Sequence, residues 1–194
     1  MKIHLLIFFV ASSFGVLGQN LPHIEANTNA EERSNSVIYK AFHDQYDFLI
    51  SYSEESYWWS NKLDYKILAT KDETWYCLRY TSKQKKDKSF SKPFITKQKI
   101  RKKKGDLLLD ELSRLGFWTL NQDSLNYATK DNDGGRSMTY TVSDGVNYKF
   151  EILTKEGFKL ISAYEPDYFL IELPEYKQRQ KFIEARNVFK ALCK

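Results

Sequence analysis

An α+β fold is what the sequence predicts, on three observations. Runs of alternating apolar and polar residues are joined by tight turn signals, amphipathic helical stretches stand mid-chain and at the C-terminal end, and no strand–helix–strand alternation points to a parallel sheet. The expected architecture is a single domain, a twisted antiparallel sheet packed by helices on one face, including a C-terminal helix. Hydrophobic residues make up 42% and aromatics 15%, enough apolar material for one sizeable core. Thirteen Tyr and thirteen Phe against eight Gly suit strands that favour aromatic side chains.

The elements follow in order. Lys2, the apolar run Leu5–Ala11 and the small residues before Gln19 have the layout of a signal peptide over residues 1–18. The run is shorter than the roughly 20 apolar residues a membrane span needs, and no later stretch approaches that length, so no transmembrane segment is expected. Residues 19–36 are polar and aperiodic, which predicts a flexible leader before a domain over 37–194. Val37, Ile38, Ala41 and Phe42 sit near helical spacing. Phe48–Tyr52, Leu63–Ile67 and Thr74–Thr81 alternate as strands, with Lys71-Asp72-Glu73 as a hairpin turn. In the third run Tyr76, Leu78 and Tyr80 share one face, and Trp75, Cys77 and Arg79 the other.

Leu108, Leu109, Leu112 and Leu115 form a helical stripe that Asp106 can cap and Gly116 can end. Asp144-Gly145 predicts a two-residue hairpin turn across Ser137–Leu153, facing Thr141 with Tyr148 and Thr139 with Phe150. Phe158–Tyr164 follows as a strand. Pro166 and Pro174 bracket Tyr168–Leu173, and a final helix starts near Pro174 with Phe182, Ala185, Phe189 and Cys193 on one face.

Charge is concentrated. Between Lys83 and Lys104 stand eleven basic residues and one acid, a local charge of +10, while the rest of the chain after residue 18 carries −6. Lys97, Lys99, Arg101, Lys102, Lys103 and Lys104 are candidates for polyanion binding. The competing reading is a solvated edge strand whose lysines discourage sheet-to-sheet pairing. For an exported chain the partner would be an acidic glycan, an envelope lipid or an acidic protein. Only Phe90 and Phe94 interleave with the lysines, which disfavours nucleic acid. Trp58 and Trp59 are candidates for stacking on a ligand ring.

Cys77 and Cys193 form an even pair, which in an exported chain predicts a disulfide worth about 4–5 kcal/mol in the chain-entropy model; two buried thiols are the alternative. Catalytic signatures are missing: no nucleophile elbow, no phosphate-binding glycine loop, no His-Glu-x-x-His. After residue 18 only His23 and His43 remain. Asp131-Asn132-Asp133-Gly134-Gly135 evokes a calcium loop, but that register puts Thr129 first and Tyr140 twelfth, where acids belong. No metal or cofactor is therefore expected.

Asp144-Gly145-x-x-Tyr148-x-Phe150-Glu151, Ala163-Tyr164-x-Pro166 and Phe182…Phe189…Cys193 resemble the C-terminal pattern of small exported bacterial α+β proteins without an assigned activity. The resemblance covers the last third of the chain and implies a compact α+β domain with no catalytic residues to transfer. The expectation is an exported, periplasmic or extracellular, non-enzymatic binding or accessory domain. A polyanion or envelope-glycan binder is the first alternative, and a hydrolase with an unmarked carboxylate pair the second.

Overall fold

The computed structural model describes residues 21–25, 30–56, 58, 61–132 and 136–192. The signal-peptide segment 1–18, Trp59 and Cys193 lie outside the described residues. The chain forms an α+β fold around a six-stranded antiparallel sheet of order β4-β3-β2-β1-β7-β8, with a separate β5-β6 ribbon. The strands are β1 Phe48–Ser56, β2 Lys62–Lys71, β3 Thr74–Lys83, β4 Phe94–Lys99, β5 Thr129–Asn132, β6 Arg136–Thr139, β7 Val146–Thr154 and β8 Phe158–Tyr164. The helices are α1 Ala30–Asn35, α2 Val37–Phe42, α3 Lys102–Arg114, α4 Gln122–Asn126, α5 Pro166–Glu172 and α6 Lys177–Leu192.

The β2–β3 hairpin is set locally. Asp72 and Glu73 both take positive φ, 46° and 60°, which matches the right-handed twist of the strands they join. The expected face division of β3 is observed. Trp75 enters the core on one side of the sheet, while Leu78 and Tyr80 enter the core on the other.

The first core joins Phe48, Ile50, Leu68, Phe150, Ile152 and Ile161 of the sheet to Leu108 and Leu112 of α3 and Phe182 and Phe189 of α6. We call this the inner face. Phe150 is its hub, with rings of Tyr52, Phe117, Phe182 and Phe189 all within 6 Å. Coverage on one face only was expected, but the outer face also has a roof. Ile38 and Phe42 of α2 pack on Leu49, Ile67, Leu78, Leu153 and Phe158.

Several boundaries move. The expected flexible leader contains an anchor: Ile24 is 4% exposed and belongs to the inner core, and α1 forms within the same stretch. Leu21 packs against the same core, and two apolar residues in a polar segment carry no periodic signal. Helix α3 starts one turn before Asp106, whose carboxylate instead accepts from Trp75 Nε1 at 3.0 Å and Lys102 Nζ at 3.0 Å. Gly116 ends that helical region in the left-handed conformation, as expected. Tyr168–Leu173 falls largely in helix α5, and α6 starts at Lys177 rather than near Pro174.

The Asp144-Gly145 hairpin does not form. β6 pairs with β5, whereas β7 pairs with β1 and β8. Asp144 does take positive φ, 66°. The glycine, however, answers a tertiary demand: a Cβ at Gly145 would lie 2.4 Å from Glu165 Cγ and 2.6 Å from the Tyr164 hydroxyl. Residues 133–135 of the calcium-like segment lie outside the described residues, between β5 and β6.

The two edges of the sheet differ. At β8, the Asn126 side chain donates to Ser162 O at 2.9 Å and accepts from Tyr164 N at 2.9 Å, so an amide from α4 occupies the place of a neighbouring strand. At β4, every residue is exposed. Ile100 N bonds Trp75 O at 3.0 Å, so by antiparallel alternation the main chain of Ile95, Lys97 and Lys99 faces outward.

Candidate functional site

The sheet forks along β1. On its β7 side β1 stays paired from Phe48 to Ser56, but on its β2 side pairing stops at Tyr52 with Lys66. β2 meanwhile stays paired with β3 as far as Lys62 with Lys83. Residues 53–56 and 62–65 therefore face each other without a ladder between them. The gap is a cleft of about 610 Å³.

Ion pairs hold the two walls to their outer neighbours. On the β1 wall, Lys190 Nζ of α6 donates to Glu54 Oε1 at 2.7 Å, and Lys149 Nζ of β7 donates to Glu55 Oε1 at 2.8 Å. On the β2 wall, Asp64 accepts Arg79 Nε and Nη2 of β3 at 2.8 and 2.7 Å, and Lys62 Nζ at 3.2 Å. Across the fork reaches a long hydrogen bond, Tyr65 Oη to Glu55 Oε1 at 3.4 Å. Tyr52, beneath Phe150 and Phe189, donates to Glu54 Oε1 at 2.7 Å.

The electrostatics follow from this pairing. Burial pushes the Glu54 carboxyl up, but the hydrogen bonds from Lys190 and Tyr52 outweigh it and hold it below the usual range. The Arg79 hydrogen bonds, with Lys62 beside them, hold Asp64 low against burial. Burial drives both tyrosine hydroxyls, Tyr52 and Tyr65, far above their ordinary value, so both remain neutral donors. Ionised carboxylates and neutral phenols make a fixed hydrogen-bonding surface rather than a proton-transfer pair.

Two groups in the cleft are uncommitted. Lys66 is half-buried and makes no ion pair among the described residues. Ser53 is 3% exposed, and its Oγ lies against the Tyr65 hydroxyl, which it helps to polarise, without completing a full hydrogen bond. A buried hydroxyl left without a full hydrogen bond costs about 1–3 kcal/mol, which a ligand group can recover.

The sequence-predicted residues lie elsewhere. Trp58 is 63% exposed in the loop that joins β1 to β2, its N–H bonded to Ser56 Oγ at 3.4 Å. The basic residues do not gather on one surface. Lys97 reaches over Tyr46 and Tyr76, 5.1 and 3.8 Å from the ring centres, on the outer face. Lys99 shares that face of β4 by alternation. Arg101 precedes α3, and Lys102, Lys103 and Lys104 occupy its first turn, where the helix dipole disfavours cations. Lys102 pairs with Asp106, and Lys104 Nζ caps Leu192 O at 3.1 Å. Half of Cys77 is covered, against the inner core.

In a second depression, beside Trp118, Lys159 Nζ donates to Trp118 O at 2.6 Å and Asn121 caps α4. His43 stacks on Tyr39 at the surface and bonds its carbonyl oxygen. Among the described residues no cluster of metal-ligating side chains occurs and no helix is long and apolar enough to cross a membrane. Sequence reasoning missed Lys66, Glu54 and Asp64 as cleft residues. The available signal was that the inner-face positions turn from apolar to charged toward one end of the sheet, at Glu54 in β1 and at Lys66 and Arg79 in β2 and β3, where Lys66 pairs with Arg79 and stands opposite Tyr52. Compared with protein-family models, curated proteins and solved structures, the chain finds no match.

Proposed function

We propose that the chain is exported and works as a non-enzymatic binding domain, with the β1–β2 cleft as its ligand seat. The fork in the sheet carries this reading. Two facing strand edges without a ladder leave main-chain donors and acceptors to be met by something else, in a volume typical of small-molecule sites. The hydrolase alternative is weaker on this geometry. A general acid needs a raised pKa, and the cleft acids whose pKa is shifted, Glu54 and Asp64, are both held low. Glu151, whose carboxyl burial pushes up, hydrogen-bonds Ser36 under the outer-face roof and does not line the cleft.

The polyanion reading keeps one supporting observation, the exposed +10 run, but its lysines divide between the outer face and the first turn of α3. Export and a Cys77–Cys193 bridge complete the proposal. A mature N-terminus at Gln19 and an intact mass that changes on reduction and alkylation are their signatures.

The test is a screen of small glycans and fragments by amide chemical shifts, repeated with Ser56→Trp to fill the cleft. Ligands are expected to shift Tyr52, Ser53 and Lys66 and to lose binding in the filled variant. Hits that map only to other surfaces would sink the reading.

A further inference from the structure

The charge inventory of the cleft specifies its ligand more closely, and this step rests on the binding reading above. Each cleft carboxylate already has a cation: Glu54 has Lys190, Glu55 has Lys149, and Asp64 has Arg79 and Lys62. Lys66 is the cation left over. It sits where the fork begins, opposite Tyr52, at the last paired position of β1 and β2. We propose that the cleft takes a monoanionic, hydroxyl-rich ligand, a uronic-acid type of sugar, with Lys66 holding its carboxylate and Ser53 one of its hydroxyls.

Three arguments select that chemistry. Asp64 shares two cations, so among the described residues Lys66 is the one cation of the cleft that no carboxylate engages, and it offers a seat for one ligand carboxylate; a second anionic group would come to lie beside Glu54 and Asp64. A zwitterion would need a spare carboxylate, and each one is engaged. The uncharged lining combines the hydroxyls of Ser53, Ser56, Tyr52 and Tyr65 and the strand edges with Leu63, Phe90 and Val146, and suits a ligand whose hydroxyls donate and accept while its ring presents an apolar face. The buried Ser53 hydroxyl is an observation independent of the charge count, and it points to the same cleft.

The experiment is calorimetric titration of the full chain with the methyl glycoside of galacturonic acid, which carries one carboxylate, and with its neutral methyl ester. Wild type is expected to bind the acid form at least about tenfold more tightly, the scale of one charge-assisted hydrogen bond. Lys66→Gln should erase that preference and Lys66→Arg retain it, with the melting temperatures of both reporting that the fold persists. Replacing Lys102, Lys103 and Lys104 with Ser should leave the preference intact. Equal binding of both forms by wild type, or a preference that survives Lys66→Gln or vanishes in the triple variant, overturns the assignment. If neither form binds while other compounds still map to the cleft, the ligand class is wrong and the binding reading stands. If nothing maps there, both fall.

Discussion

The two flanks of β1 carry the same strand to opposite outcomes. Toward β7 the ladder runs its full length; toward β2 it ends at Tyr52. The difference lies in what the side chains reach. Phe48, Ile50 and Tyr52 share an aromatic core with Phe150, which binds β1 to β7 beneath α6. Beyond Tyr52 the inner-face positions become charged. Glu54 is drawn to α6, Glu55 to β7 and Asp64 to β3. An ordinary β-hairpin would close over this stretch, but each acid here finds its cation on the far side of its own strand. Side-chain charge decides where the sheet opens, and burial decides where it stays shut.

The comparison can be broken most forcefully at its closed side. Phe150→Ala removes the ring that four aromatic neighbours touch, and a loss of about 3–5 kcal/mol in urea unfolding is expected. A loss below about 1 kcal/mol would mean that another contact holds β1 to β7.

A pH profile tests the same strand from the outer face. Burial lifts the Glu151 carboxyl above its ordinary 4.5, against the Ser36 hydrogen bond and Lys149. From 4.5 up to the folded value, the native state keeps a proton that the unfolded chain has lost, so this group's contribution to stability falls as pH rises and then levels. Glu151→Gln cannot titrate. The unfolding free energy of wild type minus that of the variant should decline upward from pH 4.5, and an increase would contradict the assignment.

The smallest effect is expected at the fork. Glu54→Gln with Asp64→Asn should cost under about 1 kcal/mol per pair, because these ion pairs are partly exposed. Amide exchange should nonetheless slow at residues 53–56 and 62–65 as the freed walls approach each other. Unchanged exchange would assign the fork to strand twist instead.

Much of the fold was legible because it is local. The Asp72-Glu73 turn, the alternation of β3, the leucine stripe of α3 ending at Gly116 and the buried face of α6 each depend on neighbours within a few residues. The Asp144-Gly145 hairpin was misread because β7 finds its partner in β1, roughly a hundred residues earlier, and turn chemistry carries no information about that pairing. The cleft was hidden for a related reason. Glu54, Asp64 and Lys66 look like solvent positions of alternating strands, and only the register of three strands together gathers these charges at one end of the sheet. The lysine run was visible at once, yet its dispersal over two faces depends on the turn from β4 into α3.

The amide of Asn126 against β8 has a consequence for assembly. In the language of polymerisation, a subunit with two reactive ends propagates, whereas one with a single reactive end only terminates. This sheet has one end occupied by its own side chain and one end open at β4. Edge-to-edge association through β4 would bring its lysines against their own copies. One asparagine thus blunts the β8 end at Ser162 and Tyr164, while like charge alone guards the β4 end.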